Sequence, residues 1–186
     1  MFQKILLVIA CVVSIACSVG QSQPPLPAVE SVDLQRFMGA WHVIGFIPLY
    51  PEKDAYNGIE RYRLDEDGQI HTTYRFREGS FDGELKTYHP TATVVEGSNN
   101  ALWEMQFLWP FNAEYRIAYL SKDYQTVIVA RTARDYVWLM SRSPNMTDSD
   151  YQHYKKKIAD MGYDLTDFKR QPQRWPESRA RPPLNE

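Results

Sequence analysis

Cysteine is nearly absent: the 186 residues hold two, Cys11 and Cys17, both close to the N-terminus. That excludes a disulfide framework or a cysteine zinc site in the body of the chain. Histidine is equally sparse, with four residues, and no H-x-x-x-H pair occurs. No metal site is therefore expected. The chain lacks a G-x-S-x-G elbow and a glycine-rich phosphate loop, the sequence marks of two large enzyme groups. It has no excess of positive charge, the formal net charge being -2, so no nucleic-acid partner is expected. The apolar run Ile5 to Cys17 is too short to span a bilayer, which takes roughly 20 residues.

What is present is a load of aromatics, 13% of the chain, in an otherwise ordinary globular composition. One domain fits the length. The N-terminal run reads as the apolar segment of a secretory signal, residues 1–17. Ser14-Ile15-Ala16-Cys17 resembles a bacterial lipobox, in which the Cys after the cut receives lipid. Cys17 is the expected lipidation site, with acyl chains such as palmitate. Val8-Ile9-Ala10-Cys11 is the alternative, with a shorter apolar core. Residues 18–31 then read as a Pro-rich tether.

From residue 32 to 171 the text alternates short apolar and polar runs, split by turn signals such as Asp65-Glu66-Asp67-Gly68. Eight runs predict an antiparallel all-β barrel or sandwich. One segment differs. Thr147 with Asp150 forms a capping box, Tyr151, Tyr154, Ile158 and Met161 recur at helical spacing, and Gly162 supplies the stop. A single amphipathic helix is expected to lie on the outside of the sheet. Residues 172–186 are rich in Pro and Arg and read as a loose tail.

Eight strands followed by one C-terminal helix resemble a lipocalin, and local motifs strengthen the likeness. Gly39-Ala40-Trp41 matches the family's G-x-W, Asp123-Tyr124 its acidic-Tyr pair, and Arg142 the single Arg of its third signature. The stretch Arg134 to Arg142 is similar to that of bacterial outer-membrane lipocalins in particular. The resemblance implies an eight-stranded up-and-down barrel. It also implies that Trp41 plugs the closed end with Arg142 stacked across it, and that the chain is a non-catalytic, cofactor-free carrier. The implied ligand is a lysophospholipid, a fatty acid or a similar elongated apolar molecule. The implied place is the outer membrane, anchored by lipid and facing the periplasm. A homodimer is left open. Two alternatives stand beside this: an enzyme on the same scaffold, and an interaction module with a filled barrel.

Strand alternation assigns an interior. The inward set is Val43, Gly45 and Ile47; Tyr62 and Leu64; Ile70, Thr72, Tyr74 and Phe76; Trp103, Met105 and Phe107; Tyr115, Ile117 and Tyr119; Ile128 and Ala130. Tyr136, Trp138 and Met140 are assigned to filler at the closed end, Val137 and Leu139 to the face beneath the helix, and Thr73 and Arg75 to water. The expected ligand contacts are Glu60, Tyr62, Tyr74, Phe76, Trp103, Met105, Phe107, Tyr115, Ile117 and Tyr119. Glu60 faces inward by parity. There it sits either at the wet mouth or against a cation such as Lys86 or a ligand ammonium, unless a local twist turns it to solvent.

Overall fold

A computed structural model describes residues 25–108 and 110–178 of the chain. Cys11, Cys17 and the predicted signal lie outside the described residues. The strands are β1 (Gly39–Ile47), β2 (Ala55–Leu64), β3 (Ile70–Glu78), β4 (Leu85–Tyr88), β5 (Thr91–Val94), β6 (Leu102–Leu108), β7 (Phe111–Leu120), β8 (Thr126–Ala130) and β9 (Val137–Ser141). Each pairs antiparallel with the next, except that β4 and β5 both pair with β3, and β9 returns to pair with β1. The result is a closed up-and-down barrel. The alternating stretch from Lys86 to Val95 is split between β4 and β5 at His89-Pro90, where proline has no N–H to give the ladder. A two-residue strand, β10 (Lys169–Arg170), pairs with Gly45 and Phe46 of β1 on the edge opposite β9.

Helix α1 (Leu34–Phe37) closes one end of the barrel. Helix α2 (Asp148–Asp160) lies outside, as expected. The Thr147 hydroxyl accepts from the Asp150 N–H at 3.1 Å, which satisfies one of the free donors of the first turn. Its stripe, Tyr151 and Ile158, packs over Ile44, Ile47, Ile128, Val137 and Leu139. Gly45 lets it approach: a Cβ there would stand 2.9 Å from both Tyr151 and Phe168. No helix among the described residues is long and apolar enough to cross a membrane.

The inward set needs correction where the ladder slips. A bulge between Val43 and Gly45 reverses the face, so Phe46 points inward and Gly45 and Ile47 lie beneath the helix. A second bulge between Ile117 and Tyr119 turns Tyr119 out against Tyr154 of α2, with ring centroids 5.6 Å apart. Strand β8 is buried on both faces and gives no alternation to read. Val127 and Val129 face in, and Ile128 and Ala130 face the helix.

Both ends of the body are bound more tightly than composition suggests. In the predicted tether, Leu26 is buried against the helix-side cluster, and the Val29 N–H donates to the Ile117 carbonyl at 2.9 Å. The predicted loose tail, in its described part, docks on the outer face of β2 and β3. The Asn57 N–H donates to the Pro172 carbonyl, Gln173 Nε2 to the Val43 carbonyl, and Arg77 pairs with Glu177 at 3.2 Å with both side chains buried. Thr73 and Arg75 are therefore buried on that face rather than in water. The remainder of the tail, 179–186, lies outside the described residues.

Candidate functional site

The two ends of the barrel differ in what fills them. At the α1 end, Trp41 is fully buried and its indole N–H donates to the Phe37 carbonyl at 2.9 Å. The Arg142 guanidinium lies 3.7 Å over the Trp41 ring, and its nitrogens donate to the carbonyls of Arg36, Phe37, Met38 and Ala40 at 2.8–2.9 Å. Gly39 holds φ +95°, a conformation that a side chain would strain, and a Cβ there would stand 3.3 Å from Arg142. The Asp123 carboxylate accepts from the Gln125 N–H at 3.2 Å and organises the β7–β8 turn. The Tyr124 phenol accepts from the Asp33 N–H at 2.9 Å, and Arg36 lies 4.0 Å over its ring. Signature residues Gly39, Trp41, Asp123, Tyr124 and Arg142 thus belong to the closed end.

Above Trp41 the core continues as a layer of rings. Phe37, Tyr62, Trp103 and Tyr115 stack edge or face, the last two at 4.9 Å. This layer is a floor. Tyr62, Trp103 and Ile117 are buried in or beside it and do not line the open space above, which corrects their assignment to the cavity wall. Phe76, Met105 and Phe107 do line that space, as do Glu60, Tyr74 and Tyr115. The cavity holds about 510 Å³, within the range of small-molecule sites. Its wall is mostly apolar.

Several lining residues escape the sequence reading. Tyr136 and Trp138 line the cavity rather than the closed end. Strand β9 runs from the mouth toward the plug, since Val137 pairs with Ile47 and Ser141 with His42 next to Trp41. Reading that direction from the antiparallel closure would have placed them correctly. Leu49, Pro51 and Glu52 enter from the β1–β2 connection, which has no periodicity to signal an inward side chain.

The polar groups are few and deep. Glu60 faces in, but at the floor and not at a wet mouth: it is buried and accepts a hydrogen bond from the Tyr62 phenol. Since that proton is committed, the 2.7 Å contact between the Tyr62 and Tyr115 hydroxyls has Tyr115 as donor. Lys86 is not its partner; it pairs outside with Glu78 and Glu84. Burial pushes the Glu60 carboxyl up to about 7, the Tyr62 bond opposes the rise, and the charge of Glu52 adds to it. Glu52 is also buried. Its Oε1 accepts from the Leu49 N–H at 2.9 Å and the Trp138 indole at 3.1 Å. Burial raises its pKa too, and these bonds oppose the rise. The Tyr74 phenol lies beside the Glu52 carboxyl and the Gln171 amide without a well-formed hydrogen bond to either, and the Thr72 hydroxyl has no partner among the described residues. No group of three or more potential metal ligands occurs among the described residues.

A family model described as a lipocalin-like domain matches residues 32–173. The chain is 26% identical over 160 residues to temperature-induced lipocalin-1 of Arabidopsis thaliana, covering 80% of this chain and 83% of the relative. It is 25% identical over 158 residues to the outer membrane lipoprotein Blc of Escherichia coli strain K12, covering 83% and 86%. It is 29% identical over 153 residues to apolipoprotein D of Rattus norvegicus, covering 76% and 77%. Among solved structures, insecticyanin from the tobacco hornworm Manduca sexta superposes with a TM-score of 0.64 at 16% identity, covering 83% of this chain and 87% of that one.

Proposed function

The chain belongs to the lipocalin family, and on that premise we propose that it is a non-catalytic carrier holding a small elongated hydrophobic ligand inside the barrel. The observation that carries this reading is the apolar cavity of about 510 Å³ above the aromatic floor. Burying apolar ligand surface there contributes roughly 25 cal/mol per Å² before the costs of association. Single-chain lipids, lysophospholipid or fatty acid, are the first class to test. The buried Glu52 and Glu60 require a fatty acid to enter tail first, with its carboxylate left outside. The similarity to Blc, whose name places it in the outer membrane as a lipoprotein, supports an anchor on Cys17 and a place in the cell envelope.

Binding is tested on delipidated, folded protein titrated with single-chain lipids of increasing length. Trp138 lines the cavity, so its emission is expected to change saturably, with affinity rising until the chain fills the barrel. Phe107→Arg at the rim is expected to abolish the response and keep the fold. No saturable response to any such lipid overturns the carrier reading. The anchor is tested by fractionation: Cys17→Ser is expected to leave the membrane fraction, and release by Cys11→Ser instead would move the lipid to Cys11.

A further inference from the structure

We propose that the cavity floor recognises a protonated amine, so that the ligand is an apolar ammonium compound whose cation enters first. This rests on the cavity being a ligand site and narrows what enters it. Two carboxylates, Glu60 and Glu52, are buried in one apolar space and neither has an ion-pair partner among the described residues. The charged and titratable groups around Glu60 are Tyr62 on its own strand, Tyr74 across the β2–β3 ladder, Tyr115 on β7, and Glu52 from the β1–β2 connection. None of these is a cation. Of the basic side chains among the described residues that line the cavity, Arg131 is held by Asp135 at 3.0 Å, and His89, in the β4–β5 connection, is exposed to solvent.

A second, independent observation points to the same place. The Thr72 hydroxyl is buried in the wall without a partner among the described residues, and the Tyr74 phenol beside it is also buried and poorly bonded. Both sit on β3, where Tyr74 pairs with Glu60 and Thr72 with Tyr62. A buried hydroxyl without a partner is costly unless something completes it. An alkylammonium offers three N–H donors and a tail. The donors match the Glu60 carboxylate, the Thr72 hydroxyl and the Glu52–Tyr74 pair, and the tail matches the apolar wall toward Phe76, Met105 and Phe107. A buried ion pair is favourable only when such extra bonds satisfy the remaining donors and acceptors. A carboxylate headgroup at the floor would instead meet two like charges and no donor cation.

The test compares octylamine, octanol and octanoate by calorimetric titration of the purified full-length chain at pH 8. Octylamine is expected to bind at least about tenfold more tightly than octanol, and octanoate most weakly. Glu60→Gln is expected to erase the amine preference and keep octanol binding. Equal affinity for amine and alcohol, or an amine preference unchanged in Glu60→Gln, overturns the proposal. Octanol binding in that case leaves the hydrophobic carrier standing. Binding of none of the three removes both readings. The unsubstituted protein gives a check that needs no variant. With the Glu60 carboxyl at about 7, the amine-to-octanol affinity ratio is expected to fall about tenfold between pH 8 and pH 6, while octylamine stays protonated. A flat ratio also overturns the proposal.

Discussion

The closed end and the cavity floor share one aromatic stack, with the Phe37 ring 5.1 Å from Trp41 and 5.5 Å from Tyr62, yet their polar groups are treated in opposite ways. At the closed end the Arg142 charge donates to four backbone carbonyls and covers Trp41, and the Trp41 N–H has its own acceptor. At the floor, Glu60 and Glu52 carry buried carboxyls with no cation among the described residues, and the Thr72 hydroxyl has no partner among them. A satisfied buried charge holds a shape; an unsatisfied one waits on a ligand or is retained at a cost. Aromatic density alone does not separate the two regions, whereas the hydrogen-bond inventory does.

The closed end is most sensitive at Trp41. Trp41→Ala removes a fully buried ring and is expected to cost about 3 to 5 kcal/mol by denaturant unfolding. Arg142→Ala is expected to be costly as well, because it strips charge-assisted donors from four carbonyls as well as the stacking contact. In both variants ligand affinity per folded molecule is expected to stay within about twofold, since neither side chain lines the cavity. Selective loss of binding at unchanged melting temperature would move the site to this end.

The floor is expected to respond with the opposite sign. The Glu60 carboxyl is raised from an ordinary value of 4.5 to about 7 on folding, so between those values the native state binds more protons than the unfolded one. Stability then falls as pH rises through that window and levels off above it. Glu60→Gln removes this penalty. It is expected to stabilise the protein by about 3 kcal/mol at pH 8 and by almost nothing below pH 4.5. A pH series of unfolding curves for the two proteins checks it, and a difference independent of pH would show that Glu60 does not titrate at the floor.

The same contrast explains how far the sequence can be read. The barrel, the outer helix with its Thr147 cap, and the signature residues of the closed end are legible because alternation, capping and motif each encode them locally. Glu60 is legible as inward from its parity with Tyr62. Its depth is not, because depth depends on which way each strand runs relative to the plug, and that also misplaces Tyr136 and Trp138. Two bulges invert Gly45, Ile47 and Tyr119, and one extra residue in a ladder leaves no mark in composition. Glu52 comes from a connection without periodicity. The docked tail is hidden by its charge and proline content, since its Arg77–Glu177 pair joins residues 100 positions apart.

The smallest expected effect isolates the bulge in β7, which separates cavity from exterior within one strand. Tyr115 and Tyr119 would share a face in a regular strand, but the bulge gives Tyr115 to the floor and Tyr119 to helix α2. Tyr119→Phe keeps the ring against Tyr154 and loses only a hydroxyl on the outer side. It is expected to change stability by less than about 0.5 kcal/mol and octanol or octylamine affinity not at all. Tyr115→Phe removes the donor to Tyr62, the second link of the phenol chain that ends on Glu60. It is expected to cost about 1 kcal/mol in stability and to alter amine affinity, because the carboxylate then rests on a less polarised Tyr62. Calorimetric titration beside unfolding curves for the two variants reads both quantities. If Tyr119→Phe changes binding as Tyr115→Phe does, the strand is regular, Tyr119 faces the ligand beside Tyr115, and the boundary between exterior and cavity must be redrawn.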